Sequence, residues 1–200
     1  RIFKGIYPYL SISKESFENK KICDISFGDG RHLPFLKNLG FDVYGTEIDE
    51  KIVKIVKESL EPYNINVNLK VGTNEKLPFN EDFFDYVLSW NEIYYMGKEK
   101  DFNKYVKELS RIMKKNGTLI LSIPKKSCFI YKNSELNNGY AKITQDPFNT
   151  RVGEILRIFS DEKEIEETFS PYFKDFIFGS IHDNCFGLDY HWHLIICKKR

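Results

Sequence analysis

The segment Asp24-Ile25-Ser26-Phe27-Gly28-Asp29-Gly30 sets two glycines two positions apart, after an apolar run and ahead of a stretch of helical period. Glycine accepts positive φ and lets a ligand approach bare backbone N–H groups, so such a turn at a helix start can cradle a polar ligand. Twenty-three positions after Asp24, Glu47 closes the next apolar run, where a carboxylate can accept both hydroxyls of a ribose. Alone, the glycines could simply make a tight turn and Glu47 could be a solvated strand end. Their spacing joins them and points to a ligand containing a nucleoside. The third glycine of a dinucleotide fingerprint would fall at Leu33, and no G-x-x-x-x-G-K-[ST] run occurs, so the familiar NAD and ATP loops are disfavoured. Asp24, in a buried strand, needs hydrogen-bond partners, and the N–H groups of the turn are the expected source.

Strands and helices must alternate to position these groups. Lys21 to Ser26 reads as a strand and Arg31 to Leu39 as a helix closed by Gly40. Asp42 to Glu47 is a second strand, Glu50 to Leu60 a helix, and Asn66 to Val71 a third strand. Asp85 to Trp90 is a fourth, followed by a helix from about Lys98 to Met113 and an apolar strand, Thr118 to Ile123, of the kind covered on both faces. Such alternation argues for a parallel sheet with right-handed crossovers. Residues 125–158 are polar and Asn-rich, too long for an idle connection, and are expected to be a substrate-side insertion. Ser160 is the expected N-cap of a helix reaching Phe169, and Phe173 to Ile181 and His191 to Lys198 the closing strands.

Two hundred residues with 30 Lys and Arg against 29 Asp and Glu suit one domain, 1–200, without the basic footprint of a nucleic-acid binder. Cys23, Cys128, Cys185 and Cys197 form no C-x-x-C pair and are expected to be reduced packing residues. His191 and His193 share a strand face without an evident third ligand, so no metal is expected. No long apolar run or signal layout marks a membrane protein, and a cytoplasmic location is expected.

Several segments carry a family resemblance. "ICDISFGDGRHLPFL" (Ile22 to Leu36) resembles the first motif of class I S-adenosylmethionine-dependent methyltransferases, and "FDVYGTEID" (Phe41 to Asp49) resembles their second. "VGTNEKLPF" (Val71 to Phe79) is similar to the third motif, "FFDYVLSWNEIYY" (Phe83 to Tyr95) to the fourth, and "YVKELSRIMKKNGTLILSIP" (Tyr105 to Pro124) to the helix and strand that follow. The resemblance implies a doubly wound, Rossmann-like α/β fold: a seven-stranded, mostly parallel sheet with helices on both faces, a three-layer sandwich whose last strand is antiparallel. It also implies S-adenosylmethionine as cofactor and S-adenosylhomocysteine as product.

Carried over by position, Gly28, Gly30 and the backbone around Ser26 and Phe27 would line the methionine part, with Asp24 bracing the turn. Glu47 would hold the ribose hydroxyls, Ile48 would pack on the adenine, and Thr73 and Asn74 would meet the adenine edge. Ser89 and Trp90 would sit beside the methionine amino end and the transferring methyl. Ser26 replaces the family's first glycine, and Thr73 the acidic residue expected after Gly72. In-line displacement at a sulfonium draws mainly on alignment, so no triad is required. If the acceptor must lose a proton, His182, Asp183, Tyr94 and Tyr95 are candidate bases. The acceptor is expected to be a small molecule, with monomer or homodimer left open. The fourth motif lacks the Asp/Asn-Pro-Pro-Tyr of exocyclic-amine methyltransferases acting on nucleic acid. The alternatives are a regulatory S-adenosylmethionine-binding protein of weak or no activity and, behind it, a nucleic-acid or protein methyltransferase.

Overall fold

The computed structural model describes residues 9–10, 16–96 and 101–200; Tyr7, expected near the acceptor, and Lys98, the expected start of a helix, lie outside them. Along the chain run β1 (Lys21–Ile25), α1 (Leu33–Asn38), β2 (Asp42–Glu47), α2 (Glu50–Leu60), β3 (Asn68–Val71), β4 (Phe84–Trp90) and β5 (Tyr95–Met96). There follow α3 (Phe102–Ile112), β6 (Met113–Pro124), β7 (Ser134–Asn137), β8 (Tyr140–Ile143), β9 (Ile155–Arg157), α4 (Glu162–Phe169), β10 (Phe173–Cys185) and β11 (Leu188–Lys199).

Seven strands pair in the order β10-β11-β6-β4-β1-β2-β3. The pairs among β3, β2, β1, β4 and β6 are parallel, whereas β11 runs antiparallel to both β6 and β10. The expected mostly parallel sheet with an antiparallel last strand is thus present. Period-two alternation assigns each strand residue to a face. Cys23, Ile25, Val87, Leu119 and Leu121 pack with α3 and α4, through Val106, Leu109, Ile165 and Phe169. Ile22, Leu88 and Ile120 pack on the other face with α1 and α2, through Leu33, Leu36, Val53 and Val56.

Helix starts obey simple capping chemistry. Asp49 caps α2 by accepting the Lys51 N–H at 2.7 Å, and Asp101 caps α3 by accepting that of Asn103 at 3.1 Å. For α4 the cap is Asp161, accepting the Glu164 N–H at 2.9 Å, so the expected Ser160 cap is displaced by one residue. Ser160, one residue ahead of the cap, instead gives its own N–H to the Glu164 carboxylate at 2.6 Å, so the longer Asp161 side chain caps the helix and Ser160 is tied to its first turn. Of the four cysteines, Cys23, Cys128 and Cys197 are buried, while Cys185 is exposed at the β10–β11 hairpin, a correction forced by the length of that hairpin.

The segment 125–158 is not irregular. It folds into a second, antiparallel sheet in the order β5-β9-β8-β7, over a core that includes Tyr94, Phe129, Tyr131, Ala141, Leu156 and Trp192. Arg157 N–H donates to Tyr94 C=O at 2.7 Å, and Tyr95 N–H to Glu92 C=O at 2.8 Å, tying this sheet to the end of β4. Asp146 gathers its longest loop by accepting the N–H groups of Thr150 and Arg151 at 2.9 and 3.1 Å. Arg151 Nε in turn donates to the Tyr95 hydroxyl at 2.8 Å.

The turn after β1 packs on α2 at Gly30, whose φ is +74° and where a Cβ would lie 2.5 Å from Val56 Cγ1. Gly30→Ala combines left-handed strain with overpacking and is expected to cost about 2–4 kcal/mol, seen as a lower denaturation midpoint in urea at unchanged slope.

Candidate functional site

Strand order reverses between β1 and β4, because the chain builds outward from β1 to β2 and β3 and then returns to pair β4 on the opposite side. Loops leaving the carboxyl ends of these parallel strands diverge there, which is where α/β sheets open a ligand crevice. A cleft of about 600 Å³ lies at this position, with Ser26 following β1, Ile48 following β2, Thr73 and Asn74 following β3, and Glu92 following β4. The second sheet and its loop supply Tyr95, Met96, Thr150 and Glu154, and α3 supplies Tyr105.

The turn after β1 is built from three left-handed residues, Ser26, Gly28 and Gly30, at φ +52°, +57° and +74°. A Cβ on Gly28 would meet nothing within 4 Å, so the missing side chain leaves open space beside the backbone. Phe27 is turned inward: its ring is buried, and its N–H donates to Thr46 C=O at 3.1 Å. Glu47 is also buried, its Oε2 accepting the Gly28 N–H at 3.0 Å and its Oε1 the Ile48 N–H at 2.8 Å. The turn's N–H therefore goes to Glu47 rather than to Asp24. Asp24 faces the start of α1, where its Oδ2 lies 3.2 Å from His32 Nδ1, and burial raises its pKa despite that contact.

These residues fit S-adenosylmethionine. An ionised carboxylate has about four acceptor sites, so Glu47 can take ribose hydroxyls while keeping both backbone bonds. Ile48, 68% exposed on the cleft wall, offers apolar surface to a base. Asn74 Nδ2 donates to Glu92, which fixes the amide so that its oxygen can meet an adenine amino group.

Glu92 is the residue that sequence reasoning missed. It is 7% exposed, and its carboxylate accepts from Ser89 Oγ at 2.5 Å, Asn74 Nδ2 at 2.9 Å and Ser26 Oγ at 3.3 Å. Burial pushes its pKa up to about 7, against the pull of these three donors. The available signal was a carboxylate two residues past a strand end, directly ahead of the apolar Ile93-Tyr94-Tyr95, with serine at a turn position usually held by glycine. Ser26 and Ser89, singled out separately, prove to be joined through it.

The remaining candidates separate clearly. Trp90 is partly buried against the α1–α2 face of the core, and Ser89 is fully buried beneath Glu92; neither is among the residues lining the cleft. Tyr94 is enclosed in the core of the second sheet, while Tyr95 reaches the cleft; burial raises both phenols, so neither is a ready base at neutral pH. His182 stands on the exposed β10–β11 hairpin, stacked on His191 at 4.5 Å and 3.4 Å from Asp189, away from the residues that line the cleft. Asp183 lies on that same hairpin.

The buried Glu92 makes stability depend on pH with a defined sign. Its folded pKa, about 7, lies above the ordinary 4.5, so the folded state holds an extra proton between these values and stability falls as pH rises through that window. Glu92→Gln removes this dependence: measured by urea denaturation, the variant is expected to gain on the order of 2 kcal/mol on the wild type between pH 5 and pH 8.

Comparison with known proteins agrees with the geometry. A family model described as a methyltransferase domain matches residues 23–121. A ubiquinone biosynthesis O-methyltransferase from Pelagibacter ubique is 25% identical over 119 residues, 60% of this chain and 48% of that protein. A 23S rRNA (uracil(747)-C(5))-methyltransferase from Pyrococcus abyssi is 35% identical over 69 residues, 34% of this chain and 17% of that protein. This chain thus spans about half the first relative and a smaller part of the second. Among solved structures, a SAM-dependent methyltransferase from Methanosarcina mazei superposes with a TM-score of 0.77 at 19% identity, covering 98% of both chains. Matched motifs, sheet order and the crevice at the switch point converge: the chain belongs to the class I S-adenosylmethionine-dependent methyltransferase family.

Proposed function

We propose that this protein binds S-adenosylmethionine in the cleft at the ends of β1, β2 and β4 and transfers its methyl group to a small-molecule acceptor held under the second sheet. The observation that carries the cofactor half is Glu47, anchored by the Gly28 and Ile48 N–H groups at a strand end, beside open space over Gly28 and an exposed Ile48. In this reading Glu47 holds the ribose hydroxyls, Ile48 covers the adenine, and Thr73 and Asn74 face the adenine edge. The bound cofactor supplies an electrophilic methyl carbon on a sulfonium, so the protein's task is to align a nucleophile with that carbon and exclude water.

The acceptor half is supported by the lining. Tyr95, Thr150 and Glu154 reach the cleft from the second sheet and its loop, giving the acceptor an aromatic wall and polar partners. The charge balance of +1 is in keeping with a small acceptor rather than a polyanion, and the name of the Pelagibacter relative points the same way. Among the described residues no helix is long and apolar enough to cross a membrane.

Calorimetric titration with S-adenosylmethionine is expected to give saturable binding, and Glu47→Ala to weaken it by about tenfold to a hundredfold, as for loss of a charge-assisted pair of hydrogen bonds. Absence of binding at millimolar ligand would refute the cofactor assignment. Labelled methyl from the cofactor is expected to appear in components of a metabolite extract. Binding with no transfer to metabolites, RNA or protein would instead mark a regulatory sensor, and transfer to RNA alone would move the acceptor to the class of the Pyrococcus relative.

A further inference from the structure

With Glu47 and Ile48 holding the nucleoside at the end of β2, the rest of S-adenosylmethionine must extend along the row of strand ends toward β1 and β4. There Ser26 and Glu92 meet, 3.3 Å apart. All three side chains bonded to Glu92 are neutral: Ser26, Asn74 and Ser89. Among the described residues, none lining the cleft is a lysine or arginine. The other ionisable groups facing it are Glu75 from the loop after β3, Glu154 ahead of β9, and the phenols of Tyr95 and Tyr105. Behind it, on β1, Asp24 is paired with His32, and its charge disfavours ionisation of Glu92. Among the described residues, Glu92 is thus a desolvated carboxylate with no cationic side chain bonded to it, in a cleft assigned to a cationic ligand. An ion in that situation is costly until an opposite charge arrives.

We propose that Glu92 is the counter-charge of the cofactor's sulfonium, ionised while S-adenosylmethionine is bound and protonated once the sulfur is a neutral thioether, so that the protein favours cofactor over product. This rests on the cofactor assignment above. In the transfer, the acceptor's lone pair forms the new bond to the methyl carbon as the carbon–sulfur bond breaks, and that bond's electron pair stays on sulfur. The acceptor's N–H or O–H proton passes to the Glu92 carboxylate. The sulfonium and Glu92 begin as one positive and one negative charge and end as neutral groups, so the reaction leaves neither of the pair as an uncompensated charge in a low-dielectric site. A proton affinity near neutrality makes both states of Glu92 reachable.

The test is calorimetric titration of the wild type and Glu92→Gln with S-adenosylmethionine and with S-adenosylhomocysteine, at pH 7 in buffers of different ionisation enthalpy. The wild type is expected to release about half a proton on binding the sulfonium and to take up about half a proton on binding the thioether. Its preference for cofactor over product is expected to fall about tenfold in Glu92→Gln, the loss of one buried charge pair, while Glu92→Asp retains proton release. Equal proton release for the two ligands, or an unchanged preference in a folded Glu92→Gln protein, overturns the inference and leaves the cofactor assignment standing. If Glu92→Gln does not fold, the wild-type proton count decides alone. No binding of either ligand to the wild type overturns the cofactor assignment and this inference with it.

Discussion

The hydrogen bond from Gly28 N–H to Glu47 Oε2 joins the turn after β1 to the end of β2, and the cleft depends on it. It holds the backbone open where the glycine lacks a side chain and fixes the carboxylate before any ligand arrives. Preorganisation of this kind spares the ligand the cost of ordering its own site. The bond forms only because β1 and β2 are parallel neighbours in a register that sets Ile25 beside Thr46, so both strands end together. Asn74 and Glu92 are brought to the same edge by the neighbouring parallel registers of β3 on β2 and of β4 on β1.

The sheet was largely legible in the sequence because its signal is local. Apolar runs ending in glycine or a carboxylate mark strand ends, and α2 spans the expected Glu50–Leu60, with Asp49 capping it. Local signals also singled out Gly28 and Glu47, which the fold brings into hydrogen-bond contact at the strand ends. What was hidden was pairing. The partners of Asp24 could not be read without knowing that α1 starts against its face, and the fold gave the turn's N–H to Glu47. Glu92 was invisible as a site residue for the same reason: its importance comes from donors as far as 66 residues away in sequence. The second sheet was hidden because its strands are two to four residues long, too short for period-two alternation to stand out from a polar background, and its fourth strand, β5, precedes α3 in the chain.

Ser26 illustrates how a departure from a family pattern can be read. A non-glycine residue at φ +52° carries strain of about 1 kcal/mol, and glycine would relieve it. Serine alone, however, has the hydroxyl that reaches Glu92. Strain and hydrogen bond are two halves of one substitution, which ties the cofactor turn to a carboxylate on the far side of the switch point.

The second sheet is joined to the end of β4 through very little chain. From Glu92 to Tyr95 there are three peptide bonds, one closed by the Tyr95 N–H bond back to Glu92 and another flanked by the Arg157 bond to Tyr94. With Arg151 braced between Asp146 and Tyr95, that strap has no slack to act as a hinge. The small sheet is therefore braced as a roof over the cleft rather than hung as a door, and Tyr95 is tied through this strap directly to Glu92. By thermodynamic reciprocity, whatever the acceptor does to the affinity for the cofactor, the cofactor does to the affinity for the acceptor.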